Sequence, residues 1–218
     1  MIQEVLYRLQ LRDFEDHSVS GDGVVHVSAL VQCSLKWFFV AKYPELARAQ
    51  QFQGYMILGK LVHLGLQRTV EKFMSEFGFR SVSVEVPLEK RINVDGPADL
   101  PTIVTVKGRA DILAETLDEE KVIVEIKTAR GDYNMPSPHH VMQLRTYMNM
   151  ANVAKGILLY ITPDRIAEYT INNPLSDHEL QKLIKEFLQR KAPRYDWECG
   201  YCPFNILCPR KKTNSYRR

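Results

Sequence analysis

Lys121-Val-Ile-Val-Glu-Ile-Lys127 is the stretch on which the reading of this chain turns. Val122, Ile123, Val124 and Ile126 place apolar side chains on both sides of an extended segment, and a strand covered on both faces belongs in the middle of a sheet. A strand repeats every two residues, so Glu125 and Lys127 share one face while Ile126 points to the other. A Glu–Lys pair on an edge strand is the ordinary explanation of such charges. The apolar residues on both faces weigh against an edge.

Working upstream, an acidic turn, Asp118-Glu119-Glu120, follows an extended run over residues 103–114. A Pro-, Gly- and Asp-rich loop over 93–101 separates that run from residues 81–88, where Val82, Val84 and Val86 alternate as in a half-buried strand. Asp111 stands in Gly108-Arg-Ala-Asp-Ile-Leu113. If its strand and the next form a hairpin, Asp111 reaches the same end of the sheet as Glu125. Two converging carboxylates suit a hard cation, Mg²⁺ or Mn²⁺. Such an ion offsets the charge of a phosphodiester and lowers the pKa of a bound water, and an ammonium such as Lys127 can stabilise developing negative charge.

Helical spacing frames these strands. Ser28 can cap a helix over 28–43. Leu58, Leu61, Val62, Leu66, Val70, Phe73 and Phe77 form the apolar stripe of a second helix that Gly78 ends. His63 lies at the edge of that stripe, where a packed histidine is commoner than a metal ligand. A third helix, 139–153, carries Gln143 and Tyr147 four apart on one face; packing explains them as well as phosphate binding does. Strands over 156–161 and 165–171 follow, then a capping box, Ser176 with Glu179, opening a helix with Leu180, Leu183, Ile184, Phe187 and Leu188. Residues 197–218 read as loop. The order implies an α/β core with helical additions at both ends, divided as 1–57, 58–175 and 176–218.

Cys199, Cys202 and Cys208 are spaced C-x2-C-x5-C, and Cys33 lies far upstream. A zinc ribbon supplies two close pairs, and only one is present. Three plus one suits an iron–sulfur cluster held by four thiolates, with zinc as the alternative. Such a cluster would staple the two ends of the chain.

The 218 residues, 45% hydrophobic and 25% charged, are ordinary for a soluble domain with a substantial core. No apolar stretch is long enough for a bilayer and the N-terminus lacks a secretory pattern, so a cytoplasmic protein without a membrane partner is expected. A net charge of +3 does not by itself announce nucleic-acid binding. Basic residues gather late, at Lys191, Arg194, Arg210, Lys211, Lys212, Arg217 and Arg218, as a solvated tail or a phosphate-contacting patch.

Taken in order, Cys33, His63, Asp111, Glu125-Ile-Lys127, Gln143-Leu-Arg-Thr-Tyr147 and the three late cysteines resemble the RecB-like branch of the PD-(D/E)xK nucleases. The likeness is closest to the CRISPR-associated iron–sulfur exonucleases. The motif's Pro-Asp is Ala110-Asp111 here, a change at a position that supplies no ligand. The resemblance implies a restriction-endonuclease-like core, a central mixed sheet flanked by helices, with an iron–sulfur lobe joining the N- and C-terminal segments. It implies that His63, Asp111, Glu125 and the Ile126 carbonyl hold Mn²⁺ or Mg²⁺. Lys127 is then catalytic, and Gln143 and Tyr147 support DNA placement or the metal site. The four cysteines would hold 4Fe–4S, and 2Fe–2S is compatible with the same spacing.

The implied activity is 5′-to-3′ exonuclease cleavage of single-stranded DNA, with endonuclease action on flaps or circles, before a CRISPR integrase complex inserts the fragments. Oligomer formation stays open. Two other roles remain: a nuclease module in double-strand-break repair, whose motor would be another chain because no Walker loop is present, and a DNA-binding or zinc-stapled scaffold without catalysis. A passage beside the metal would let Tyr133, Tyr147 and Tyr201 stack on bases while Arg109, Arg130 and Arg145 track phosphates.

Overall fold

In a computed structural model of the chain, which describes residues 1–18, 23–94, 103–131 and 133–212, Val122 through Ile126 are buried without interruption in strand β4, Lys121–Thr128. β4 runs antiparallel to β3 (Ile103–Thr116) and parallel to β5 (Lys155–Ile161). β2 (Phe79–Asn93) pairs antiparallel with β3 along most of its length, and β6 (Ile166–Ile171) closes the far edge beside β5. A three-residue strand, β1 (Val24–His26), lies parallel to β3 at Thr105–Lys107. The result is a six-stranded mixed sheet.

The registers leave an opening in it. β4 pairs with β3 only over Ile112–Glu115, and β1 takes up pairing at Lys107. On that side of β3, residues 108–111 face a gap.

Helices cover both faces. α6 (Pro138–Ala151) crosses from β4 to the parallel β5 and packs Leu144 and Met148 on Gly156, where a Cβ would come within 2.7 Å of the Met148 sulfur. α7 (Asp177–Leu188) adds Leu180 and Ile184 to the same core, and its Ser176–Glu179 capping box forms as the sequence indicates. α5 (Gly54–Lys72) lies on the opposite face through Leu66 and Val70. α1 (Ile2–Ser18), α2 (Val27–Leu30), α3 (Ser34–Lys42) and α4 (Pro44–Gln50) precede it, and the short α8 (Glu198–Tyr201) sits near the end. Leu35, Phe39 and Ala47 meet Phe204 in a separate small core that joins the two ends of the chain.

Two sequence expectations change. The helix expected over 28–43 breaks at residues 31–33 into α2 and α3, because the Cys33 amide at the start of α3 donates to the Glu198 carboxylate at 2.8 Å. A helix start needs such an acceptor for its unpaired N–H groups. The apolar stripe of α5 is not wholly a core stripe either. The helix ends at Lys72, Leu58 is 63% exposed, and Phe73 and Phe77 lie beyond it and are exposed. The loop expected over 93–101 falls mainly on residues outside those described, as do Arg217 and Arg218.

Candidate active site

Asp111 is fixed at the gap by three contacts. Its Oδ2 accepts the Ile126 N–H at 2.8 Å, a bond that β3 would have supplied had the ladder continued. Its Oδ1 lies 3.3 Å from Nδ1 of His63 on α5, and its backbone carbonyl accepts from Gln67 Nε2 at 3.2 Å. Gln67 also donates to Glu85, which stands opposite Asp111 on β2 with φ +52°. A left-handed glutamate is costly backbone. The interruption it makes in the β2–β3 pairing accompanies the turning of the Asp111 carbonyl toward α5.

Glu125 enters from β4. Its Oε1 accepts from Lys127 Nζ at 2.7 Å, while Oε2 is buried with no hydrogen-bond partner. Burial first, and then the nearby Asp111 carboxylate, push its pKa up to about 7. Burial also opposes charge on Lys127, but the carboxylates of Glu125 and Asp111 outweigh it and hold the ammonium above its ordinary range. An orphaned buried carboxylate oxygen beside a second carboxylate lacks a positive partner.

Lys127 Nζ also donates to Gln143 Oε1 at 2.9 Å, and Gln143 Nε2 donates to the Tyr147 hydroxyl at 3.2 Å. The i,i+4 pair on α6 therefore aims the lysine. Tyr147 reaches this position because Gly108 has no side chain: a Cβ there would fall 2.5 Å from the tyrosine ring. On α5, Gly59 sits one turn before His63, and a Cβ on it would come within 2.9 Å of Thr128 Oγ1. That close approach sets how far His63 hangs over Asp111.

All four cysteines, with free thiols, line one cavity of about 590 Å³. Burial raises the pKa of the Cys33 and Cys202 thiols, and it lowers that of Lys36, a half-buried lysine that lines the same cavity. The Lys212 N–H points at Cys199 Sγ, 3.4 Å away. Glu198 ties the ends together, accepting from the amides of Cys33, Arg194 and Tyr195, and Ser34 Oγ donates to the Lys191 carbonyl. Among the described residues no three His, Cys, Asp or Glu side chains close to the spacing of a formed metal site. What is established is the shared location of these donors.

Residues 68–209 match the PD-(D/E)XK nuclease superfamily. The chain belongs to that superfamily. It is a DNA nuclease. It is 37% identical over 214 residues, 98% of this chain and 100% of the relative, to the CRISPR-associated exonuclease Cas4 of Saccharolobus solfataricus. The crystal structure of SSO0001 superposes with a TM-score of 0.86 at 36% identity, covering 98% of each chain.

Several side chains of the nuclease sit elsewhere than the sequence suggests. Tyr147 is 4% exposed and cannot offer a ring face to a base. Arg145 is engaged by Glu179 and the Asn173 carbonyl, fastening α6 to α7. Arg109 pairs with Glu85 and Asp13. Tyr133 and Tyr201 are open to solvent, and Arg130 is exposed. Of the late basic residues, Lys191 and Arg194 pair with Glu186, and Lys212 pairs with Asp196. Gly59, Gln67 and Glu198 went unnoticed in the sequence. A glycine inside a helical pattern one turn before a histidine was the available signal for the first. No helix among the described residues is long and apolar enough to cross a membrane.

Proposed function

We propose that the nuclease cleaves single-stranded DNA from a free end with a divalent cation, Mn²⁺ or Mg²⁺, held by His63, Asp111, Glu125 and the Ile126 carbonyl. The observation that carries the cation assignment is the partnerless, buried Glu125 Oε2 beside Asp111. The Ile126 carbonyl joins the set because one residue's N–H and C=O point to the same side of a strand, and its N–H reaches Asp111 across the gap. A bound ion supplies charge neutralisation and a more acidic water. Lys127, kept charged and aimed by Gln143, stabilises negative charge developing on the phosphate oxygens and orients the attacking water. Tyr147 holds Gln143, so its role is support.

The same proposal extends to the cysteines. Four thiols around one cavity, a half-buried lysine among them and an amide aimed at Cys199 are the donors and charge an iron–sulfur cluster needs. A 4Fe–4S cluster is the form proposed, with 2Fe–2S using the same residues. The cluster would act as a staple between the chain ends, making a cofactor lobe of the N-terminal segment and residues 176–218. The likeness to a CRISPR-associated exonuclease supports a role in trimming DNA within a CRISPR system; the 5′-to-3′ direction and a handover to the CRISPR integrase complex are part of the same proposal.

Linear and covalently closed single strands of one sequence, compared at one salt concentration, test the need for an end. Linear strands should be degraded much faster. Equal initial rates would recast the enzyme as an endonuclease with an open groove.

The Gly59 contact gives a second expectation. Gly59→Ala should push α5 away from Thr128 and displace His63, lowering kcat by one to two orders of magnitude, on the order of what a 1 Å misplacement costs. Adding Thr128→Ala removes the obstructing hydroxyl and should restore most of the rate. Steady-state kinetics of the single and double variants decide it.

A further inference from the structure

We propose that Tyr55 and Arg130 form a subsite on which one unpaired nucleobase stacks, next to the cleavage site. Residues 55, 59, 63 and 67 recur every four along α5 and so lie along one face of it. Each has its counterpart across the helix–sheet junction. Gln67 holds the Asp111 carbonyl and His63 faces its carboxylate. Gly59 abuts Thr128, and Tyr55 lies under the Arg130 guanidinium, 4.6 Å from carbon to ring centroid. Tyr55 is thus two helical turns from His63, about 12 Å along the axis, a short reach for an extended strand.

A cation over an aromatic ring at a protein surface is usually no more than a minor stabilising contact. Three observations give this one a further use. Tyr55 is 47% exposed although it lies beside the site. Arg130, three residues after Lys127, is exposed and makes no ion pair among the described residues, so its planar donors remain available to a phosphate. Tyr55 also lies at the wall of the cavity that the four cysteines line, together with Thr128 and Ala129, so a base stacked on it would sit between the cleavage site and the proposed cluster.

An aromatic platform backed by a guanidinium accepts the face of any base, and only an unpaired base can present its face. A duplex keeps its bases stacked on one another. The subsite therefore favours single strands without reading their sequence.

The subsite rests on the single-strand reading above, and one binding experiment separates the two. The full-length, cofactor-loaded protein carrying Lys127→Ala, which should leave DNA uncut, is titrated with short single strands in which one abasic position is moved along the chain. Tyr55→Leu in that background should weaken binding to the intact strand about tenfold, the scale of one base–aromatic stack. At one abasic position the parent should lose the same factor, and Tyr55→Leu should add nothing there. Tyr55→Phe, which keeps the ring, should bind like the parent. The subsite is overturned if Tyr55→Leu binds the intact strand as the parent does, if its loss is the same at every abasic position, or if Tyr55→Phe is as weak as Tyr55→Leu. If the parent binds no single strand at all, the single-strand reading falls and takes the subsite with it.

Discussion

Asp111→Ala, Glu125→Ala and Lys127→Ala are each expected to reduce cleavage on the order of a thousandfold, comparable with removing one charge-stabilising group from a preorganised site. None of the three makes the core. The sheet is held by Val122, Ile123, Val124 and Ile126 with Leu144 and Met148 above and Val70 below, all buried. Circular dichroism should therefore change little. Glu125→Gln is the sharper variant, since the amide oxygen can still accept from Lys127 while the negative charge is gone. It should lose Mn²⁺ affinity as well as rate. Lys127→Ala should lose rate with less effect on Mn²⁺ binding, because its ammonium is not a metal donor. Wild-type rates in any of these purified variants would remove the site from the gap in the sheet.

The purified protein should be brown, and Cys33→Ala and Cys199→Ala should each bleach it and lower its melting temperature. The two residues lie on opposite ends of the chain, yet they line one cavity. A cross-link across so long a loop restricts the unfolded chain by about 5 kcal/mol in the entropic treatment. In a domain of this size that corresponds to a drop of roughly 10–20 °C. The loss should stop short of unfolding. Phe39 still packs on Phe204, and Glu198 still accepts the amide of residue 33. Visible absorption, iron content and a melting curve on the same sample check this. A variant that stayed coloured and equally stable would show that the cysteines share no cluster, and a colourless wild type with bound zinc would replace the cluster by a zinc site.

Much of the sheet was legible because its signals are local. The apolar run of β4, the turn before it and the capping box of α7 are each written within a few residues. Asp111, Glu125 and Lys127 were legible for the same reason, since a strand period and one hairpin suffice to bring them together. β1, at three residues, is too short to show a period. The break between α2 and α3 was hidden because its cap, Glu198, is 165 residues away. The pairing of Arg145 was not legible because its partner Glu179 belongs to the cap of another helix. The α5 stripe misled for a related reason. The face toward the site is Gly59, His63 and Gln67, small and polar, and hydrophobic spacing gives such residues no weight. His63 gained its role from family resemblance; its place beside Asp111 depends on how closely Gly59 lets α5 approach β4.

A divalent cation between Asp111 and Glu125 should be what enables DNA hydrolysis. The most direct measurement is the cleavage rate of one end-labelled single strand in Mn²⁺, then in EDTA, then with Mn²⁺ restored, for wild type and Glu125→Gln side by side. Cutting should stop in EDTA and return with Mn²⁺ in the wild type, and stay at background throughout in the variant. Undiminished cutting in EDTA, or wild-type rates from Glu125→Gln, would mean that no cation at these carboxylates drives the cleavage.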